Sequence, residues 1–203
     1  MIKVGRVSWL VLSFVLVAFF LFGKQFVILW VGAEYEISWL IALIIMIAYT
    51  VPLVQAFGNS ILEAKNRLAF KAILYLISLA LGAVLGAFLA VEYKEVGMIL
   101  GIAVAWLVAQ NVLNWYYHKR IGLKIGLFFL ELSRGIVPVL MVVGLAGLGI
   151  DHFITLEGWF GFLVKTSLFG LLFTIAMYQF GMNPYEKELL LDMKRKLSQT
   201  FKR

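Results

Sequence analysis

The chain has 203 residues, no cysteine and only two histidines. Without cysteine it can form no disulfide, no thiolate metal site and no thiol nucleophile. The histidines, His118 and His152, fall in separate predicted connections, so a histidine-based metal cluster is not expected. The motifs of phosphate loops, zinc proteases and serine hydrolases are missing as well. These absences disfavour an enzyme, and no cofactor is predicted.

Charged residues are also scarce, at 14% of the chain, whereas hydrophobic residues make up 63%. Soluble domains are about 45–50% apolar. The apolar residues form six runs, each long enough for the roughly 20-residue helix that a bilayer core requires. Transmembrane strands would be shorter and alternating. The sequence therefore predicts an all-α, polytopic membrane protein with six transmembrane helices. The predicted spans are Val7–Val31, Ile37–Phe57, Leu68–Val91, Val96–Tyr116, Phe128–Ile150 and Trp159–Phe180.

Lys and Arg are distributed unevenly between the two predicted sides. One side carries only Lys24 and Lys94. The other side carries Lys3, Arg6, Lys65, Arg67, Lys71, Lys119, Arg120, Lys124, Lys187, Lys194, Arg195, Lys196, Lys202 and Arg203. Because basic residues concentrate on the cytoplasmic side, both termini are predicted to be cytoplasmic. The net charge of +7 is thereby assigned to topology, and no nucleic-acid partner is predicted.

Polar residues near the cytoplasmic ends of the spans are candidate sites. Gln55 and Asn59 lie one turn apart, one turn after Pro52, which can kink or break the second span. They either line a water-filled cavity or meet lipid headgroups. Asn111 and Asn114 share a face of the fourth span with Gln110 beside them, which suits interhelical hydrogen bonds or substrate contact.

Lys165 lies inside the sixth span and has no acidic residue three or four positions away. Its long side chain could reach the outer headgroups. Alternatively, it faces a cavity and meets an anion.

Small residues predict where helices touch. Gly82 and Gly86 form a GxxxG pattern on the third span, and Gly97 and Gly101 form another on the fourth. Such patterns let helix backbones approach closely. With a short turn over residues 92–95 between them, the two spans are predicted to form a tight hairpin.

Residues 182–203 are predicted to form a basic, amphipathic cytoplasmic tail lying on the membrane surface. The apolar positions that recur at helical spacing there are Leu189, Leu190, Met193, Leu197 and Phe201.

Several strings resemble a known family. They are Leu29-Trp30-Val31-Gly32 followed by Tyr35, Pro52 to Gln55, Ala64-Lys65-Asn66 before Phe70, and Tyr116-Tyr117-His118-Lys119 with Ile121-Gly122-Leu123. In these strings the chain resembles bacterial polysaccharide flippases of the Wzx type, in the multidrug/oligosaccharidyl-lipid/polysaccharide exporter superfamily. The similarity is clearest over residues 23–130.

The resemblance implies a MATE-like transporter of two helical bundles around a central cavity. The strings match the family's C-terminal part, so residues 1–117 are expected to supply four helices of the second bundle. Residues 118–181 are expected to supply two additional helices. The N-terminal bundle is then a missing partner, which makes a fragment or a split gene product the expected explanation.

The resemblance also implies a function. The expected activity is alternating-access flipping of an undecaprenyl-type lipid-linked oligosaccharide across the bacterial cytoplasmic membrane, with the coupling ion unknown. The candidate cavity residues, chosen for polarity and depth, are Gln55, Asn59, Lys65, Arg67, Lys71 and Lys165. Two alternatives stay open: a cation-coupled multidrug exporter of the same superfamily, and an incomplete remnant that does not transport.

Overall fold

The computed structural model describes residues 2–64, 67–189 and 191–192, without the side chains of residues 57, 59 and 64. The described part is all-α. Its helices are α1 (Ile2–Val31), α2 (Ile37–Val54), α3 (Phe57–Ala64), α4 (Leu68–Tyr116), α5 (Ile125–Ser133), α6 (Ile136–Phe153) and α7 (Gly158–Ala176). Two π-helical turns, Tyr117–Ile121 and Met177–Gly181, follow α4 and α7.

Five helices of the described residues are long and apolar enough to cross a membrane, namely α1, α2, α4, α6 and α7. Helix α1 passes Gly23 and Lys24 without a break. Helix α4 is not straight, because Lys94 has non-helical dihedrals of φ 51° and ψ −132°. It therefore consists of a first arm, 68–93, and a second arm, 95–116. These arms correspond to the third and fourth predicted spans.

The two arms of α4 run antiparallel and touch through their glycines. A Cβ built on Gly82 would lie 3.0 Å from the Cα of Ile102, and one built on Gly86 would lie 2.7 Å from the carbonyl oxygen of Met98. A Cβ on Gly97 would overlap the backbone of Leu89, and one on Gly101 would overlap the backbone of Gly86. All four predicted packing glycines thus lie where one backbone approaches the other.

The fifth predicted span, Phe128–Ile150, is wrong as a continuous helix. The structure breaks it between α5 and α6, where Arg134 is extended and Gly135 has a φ of 81°. Pro138 explains the break. In an unbroken helix its ring would clash with the carbonyl of Arg134, whereas in the first turn of α6 its missing N–H costs nothing.

The ends of two other predicted spans also change. The second span ends at Val54, two residues after Pro52, and the chain turns into the short helix α3. The sixth span ends as an α-helix at Ala176 and continues as the π-helical turn.

Helix α1 is central to the packing, with α2 on one side and α6 and α7 on another. Phe22 on α1, Val143 on α6 and Phe169 on α7 are buried in one apolar core. A second core joins Leu62 of α3 to Leu113 at the end of α4. Helices from both predicted segments, 1–117 and 118–181, therefore share one packed body.

The described bundle has two ends with different chemistry. We call one the basic end; it holds the start of α1, helices α3 and α5, both π-helical turns and the beginning of the tail. We call the other the opposite end; it holds Lys94 and the connections 32–36 and 154–157. Of the tail, residue 190 and residues 193–203 lie outside the described residues, and so does most of the predicted amphipathic pattern.

Candidate functional site

A buried chain of polar side chains links α2 to both arms of α4 near the basic end. The Tyr75 hydroxyl donates to Oε1 of Gln110 at 2.8 Å, and Nε2 of Gln110 donates to Oε1 of Gln55 at 2.7 Å. Gln110 is only 2% exposed and Gln55 only 4%. We call Gln55, Tyr75 and Gln110 the polar network. Buried amides and hydroxyls lose free energy unless they are hydrogen-bonded, so the network fixes how these three segments pack.

Aromatic rings cover one side of the polar network. The Trp106 ring stacks on Tyr49 with centroids 4.9 Å apart and lies 4.4 Å from the Tyr75 ring. The ammonium of Lys71 lies 5.1 Å from the centroid of the Tyr75 ring, within the range of a cation–π interaction. A cation, two aromatic faces and two amides therefore meet in a small region.

Some polar atoms around the network lack partners. Nε2 of Gln55, Nε1 of Trp106 and Oδ1 of Asn114 are buried and have no hydrogen-bond partner among the described residues. Native proteins leave few such atoms, and each calls for an explanation. Here two donors and one acceptor are available to a ligand or to water.

Arg67 and Lys71 flank the network at the basic end. Arg67 is exposed and donates to the Tyr116 hydroxyl at 3.3 Å, while the Tyr116 ring stacks on Phe70 with centroids 4.2 Å apart. Of the six candidate residues, Gln55 thus belongs to the network, Lys71 contacts it through the Tyr75 ring, and Arg67 lies one helical turn before Lys71. Asn59 lies on α3, but its side chain is outside the described residues, as is all of Lys65.

Lys165 lies far from these residues, at the opposite end. Lys165 and Lys24 of α1 line the same cavity. Lys24 follows Arg6, which lies at the basic end, by 18 residues on the same helix. At a rise of about 1.5 Å per residue, Arg6 and Lys24 are about 27 Å apart. Lys165 therefore belongs to a different region from Gln55, Arg67 and Lys71.

Lys165 has an acidic partner that sequence spacing did not reveal. Its Nζ donates to Oδ1 of Asp151 at 2.7 Å. Asp151 lies at the end of α6, across the 154–157 connection, so a search three or four positions along one helix misses it. The pair borders a cavity of about 450 Å³, whose other polar residues are Lys24, Gln25, Thr155 and Glu157.

A third polar cluster, which we call the Arg6 cluster, was also missed. Arg6 is 5% exposed, and its guanidinium bonds the carboxylate of Glu186, with Nε 2.6 Å from Oε1. It also donates to the backbone carbonyls of Glu131, Arg134 and Gly181 at 2.6, 2.9 and 3.1 Å. The break between α5 and α6 leaves two of these carbonyls free to accept.

The sequence did contain a local signal for Glu186. The Asn183 side chain accepts from the N–H of Glu186 at 2.9 Å, and Glu186 accepts from the N–H of Asn183 at 2.8 Å. With Pro184 between them, this is a capping box that opens a helix. The pattern Asn-Pro-x-Glu predicts that box, although it does not predict Arg6 as the partner of the carboxylate.

The described residues contain no group of three His, Cys, Asp or Glu side chains that could hold a metal ion. Comparison with known proteins yields no matching family model, no matching curated protein and no matching solved structure.

Proposed function

We propose that this chain is part of a membrane transporter that flips lipid-linked oligosaccharides, with the polar network and its flanking cations as the substrate-contacting region. The observation that supports this most is the joining of Gln55, Tyr75 and Gln110 inside otherwise apolar helices, beside Lys71 and Arg67. Polar groups at membrane depth are costly and usually serve a function.

The chemistry of this region suits a sugar diphosphate. Amide and hydroxyl groups exchange hydrogen bonds with sugar hydroxyls, and the Trp106 and Tyr49 rings offer apolar faces. The guanidinium of Arg67 suits phosphate oxygens, and the ammonium of Lys71 adds a second positive charge. The lipid tail would remain in the bilayer, against the apolar outer faces of the helices.

A transporter also needs access from both sides of the membrane. We infer that the basic end faces the cytoplasm, since basic residues concentrate there. We infer further that α1, α2, the two arms of α4, α6 and α7 make six crossings and form part of a larger MATE-like transporter. A second helical bundle would then close the substrate cavity and permit alternating access.

A cation-coupled drug exporter is the main competing function. Such a protein would need a carboxylate near its binding region to hold a cationic drug or the coupling ion. The polar network offers amides and a phenol, and the residues that flank it are the cations Arg67 and Lys71, which favours an anionic substrate. A remnant without transport activity is an outcome of the experiment below.

The experiment uses inverted membrane vesicles from cells in which the variant is the sole copy, so that any partner bundle is present. The substrate is a fluorescent undecaprenyl-diphosphate oligosaccharide, and transfer is scored by protection from an impermeant glycosidase. We expect the double variant Arg67→Gln/Lys71→Gln to reduce transfer roughly thirtyfold, since each of the two lost charge contacts is worth on the order of 1 kcal/mol.

The matched control is Lys119→Gln/Lys124→Gln, which removes two exposed charges from the same end outside the network. Its transfer rate should remain within about twofold of the parent, because distant exposed charges are screened. Equal losses in the two double variants would show a general charge effect. Absence of transfer by the parent protein would support the remnant.

A further inference from the structure

The cavity at the opposite end has walls of two kinds. Leu21, Ile28 and Leu29 of α1 form an apolar wall. Facing it are Asp151 at the end of α6, Glu157 before α7, and Lys165 on α7, with Lys24 at the rim. The lining thus carries both signs of charge, and Lys24 also pairs with Glu36, its Nζ 2.6 Å from Oε1. A ligand that fits it should be apolar at one end and should carry both a cationic and an anionic group at the other.

Lys165 is the most informative residue of this cavity. It is only 8% exposed, which is rare for lysine, and its Nζ is held by Asp151. An ammonium has three donors, and this bond uses one of them. Asp151 differs, because its side chain is 45% exposed and accepts through Oδ1. The pair therefore presents a buried donor and an accessible acceptor next to each other in one cavity.

Aromatic residues indicate the depth at which the cavity opens. The Phe26 ring contacts Trp30 and Trp159, with centroids 5.4 and 6.2 Å away, and both indoles are exposed. Phe26 lies on α1 between Gln25 and Ile28, which line the cavity. Exposed tryptophans of membrane proteins concentrate at the level of the lipid headgroups. The cavity accordingly opens where headgroups lie, with its apolar wall toward the acyl region.

We propose that this cavity binds the headgroup of a phospholipid that carries both a phosphate and a primary ammonium, the phosphoethanolamine class. Lys165 contacts the phosphate, Asp151 and Glu157 accept from the ammonium, and the α1 wall packs against the glycerol and the first acyl carbons. This site goes beyond the transport function proposed above and does not depend on it.

Charge and hydrogen bonding explain the selectivity expected of such a site. A quaternary ammonium headgroup has no N–H to donate to Asp151. An anionic headgroup would bring a phosphate close to two carboxylates with no cation of its own to compensate. A phosphoethanolamine group satisfies both signs of charge in the lining.

The test measures lipid binding to the detergent-purified protein by native mass spectrometry, with phosphatidylethanolamine, phosphatidylcholine and phosphatidylglycerol of identical acyl chains. We expect phosphatidylethanolamine to bind roughly tenfold more tightly than either competitor, as charge-assisted hydrogen bonds allow. Soluble glycerophosphoethanolamine serves as a further competitor. Equal binding of the three lipids, or tightest binding of phosphatidylglycerol, would overturn the proposal. Competition by glycerophosphoethanolamine as strong as that of the lipid would overturn the assignment to a membrane lipid.

Two variants assign the binding to the cavity. Lys165→Met should abolish the preference for phosphatidylethanolamine, and so should Lys165→Met/Asp151→Leu, which removes both members of the ion pair together and should therefore fold. The control is Lys94→Met/Glu95→Gln, which removes one charge of each sign from the same end, outside the cavity lining. A preference that survives in the folded double variant at Lys165 and Asp151 would contradict the site.

Discussion

The sequence presents Arg6 as one of the basic residues that indicate the cytoplasmic side. In the fold, its side chain holds several segments of the chain together. Its guanidinium bonds α1 to the break between α5 and α6, to the turn after α7 and to the tail. A guanidinium has five N–H donors in a fixed plane, so it can bridge several acceptors at once. A lysine could not reproduce that arrangement.

Replacing Arg6 by Met is expected to destabilise the protein by about 3–5 kcal/mol, because it leaves the buried Glu186 carboxylate without its partner. Thermal or denaturant unfolding in detergent, followed by circular dichroism, measures the effect. The matched control is Arg134→Gln, whose ion pair with Glu131 is 3.8 Å long and has a largely exposed guanidinium. Exposed pairs contribute about 0–1 kcal/mol, so this variant should unfold close to the parent.

The double variant Arg6→Met/Glu186→Leu tests whether the unpaired charge causes the loss. Removing both charges leaves no buried carboxylate, so stability should recover in part relative to Arg6→Met. Losses that simply add would mean that Arg6 and Glu186 act independently, which the 2.6 Å contact argues against.

At the scale of elements, the hairpin of α4 depends on glycines at a backbone contact. Gly101→Leu places a side chain into the backbone at Gly86, so the arms must separate. Overpacking of this kind costs about 1–3 kcal/mol or more, and we expect a lower melting temperature and less protein in the membrane. The control is Gly149→Leu on α6, where a Cβ meets nothing within 4 Å. Equal behaviour of the two variants would mean that the arms do not pack through Gly101.

Elements whose signals are local were predictable. Apolar length placed α1, α2, α7 and both arms of α4, and the glycine pattern placed the contact between the arms. The break before α6 was missed although Pro138 signals it, because the apolar residues on both sides of Ser133 and Arg134 together reach the length of one span. Run length alone cannot distinguish one helix from two in such a stretch.

The functional candidates divide in the same way. Polarity in the sequence selected Gln55, Arg67 and Lys71, and the fold places them in or beside the polar network. Polarity alone could not predict the hydrogen bond of Gln110 to Gln55 or the ion pair of Lys165 with Asp151, because those contacts join different segments. Partners distant in sequence follow from tertiary packing, which helical spacing on one element does not contain.

For the whole molecule, the Arg6 cluster constrains how the chain can cross a membrane. Arg6 near the start and Glu186 near the end of the described chain are in direct contact, so the proposed membrane arrangement has to keep both on one side of the bilayer. The six crossings proposed above, with the two arms of α4 counted separately, agree with this contact, because an even number of crossings returns the chain to the side on which it began.

Labelling of introduced cysteines is expected to support six crossings, and the absence of native cysteine makes the experiment direct. In intact cells, an impermeant maleimide should label Glu95→Cys at the tip of the α4 hairpin, since both arms are long enough to span a core of about 30 Å. The same reagent should label Lys119→Cys and Lys187→Cys only after the membrane is permeabilised, because basic segments stay in the cytoplasm. A variant that unfolds is recognised by its circular dichroism and replaced by a neighbouring position. Labelling of Glu95→Cys and Lys119→Cys from the same side would contradict the hairpin as a pair of crossings, and the predicted orientation would fail with it.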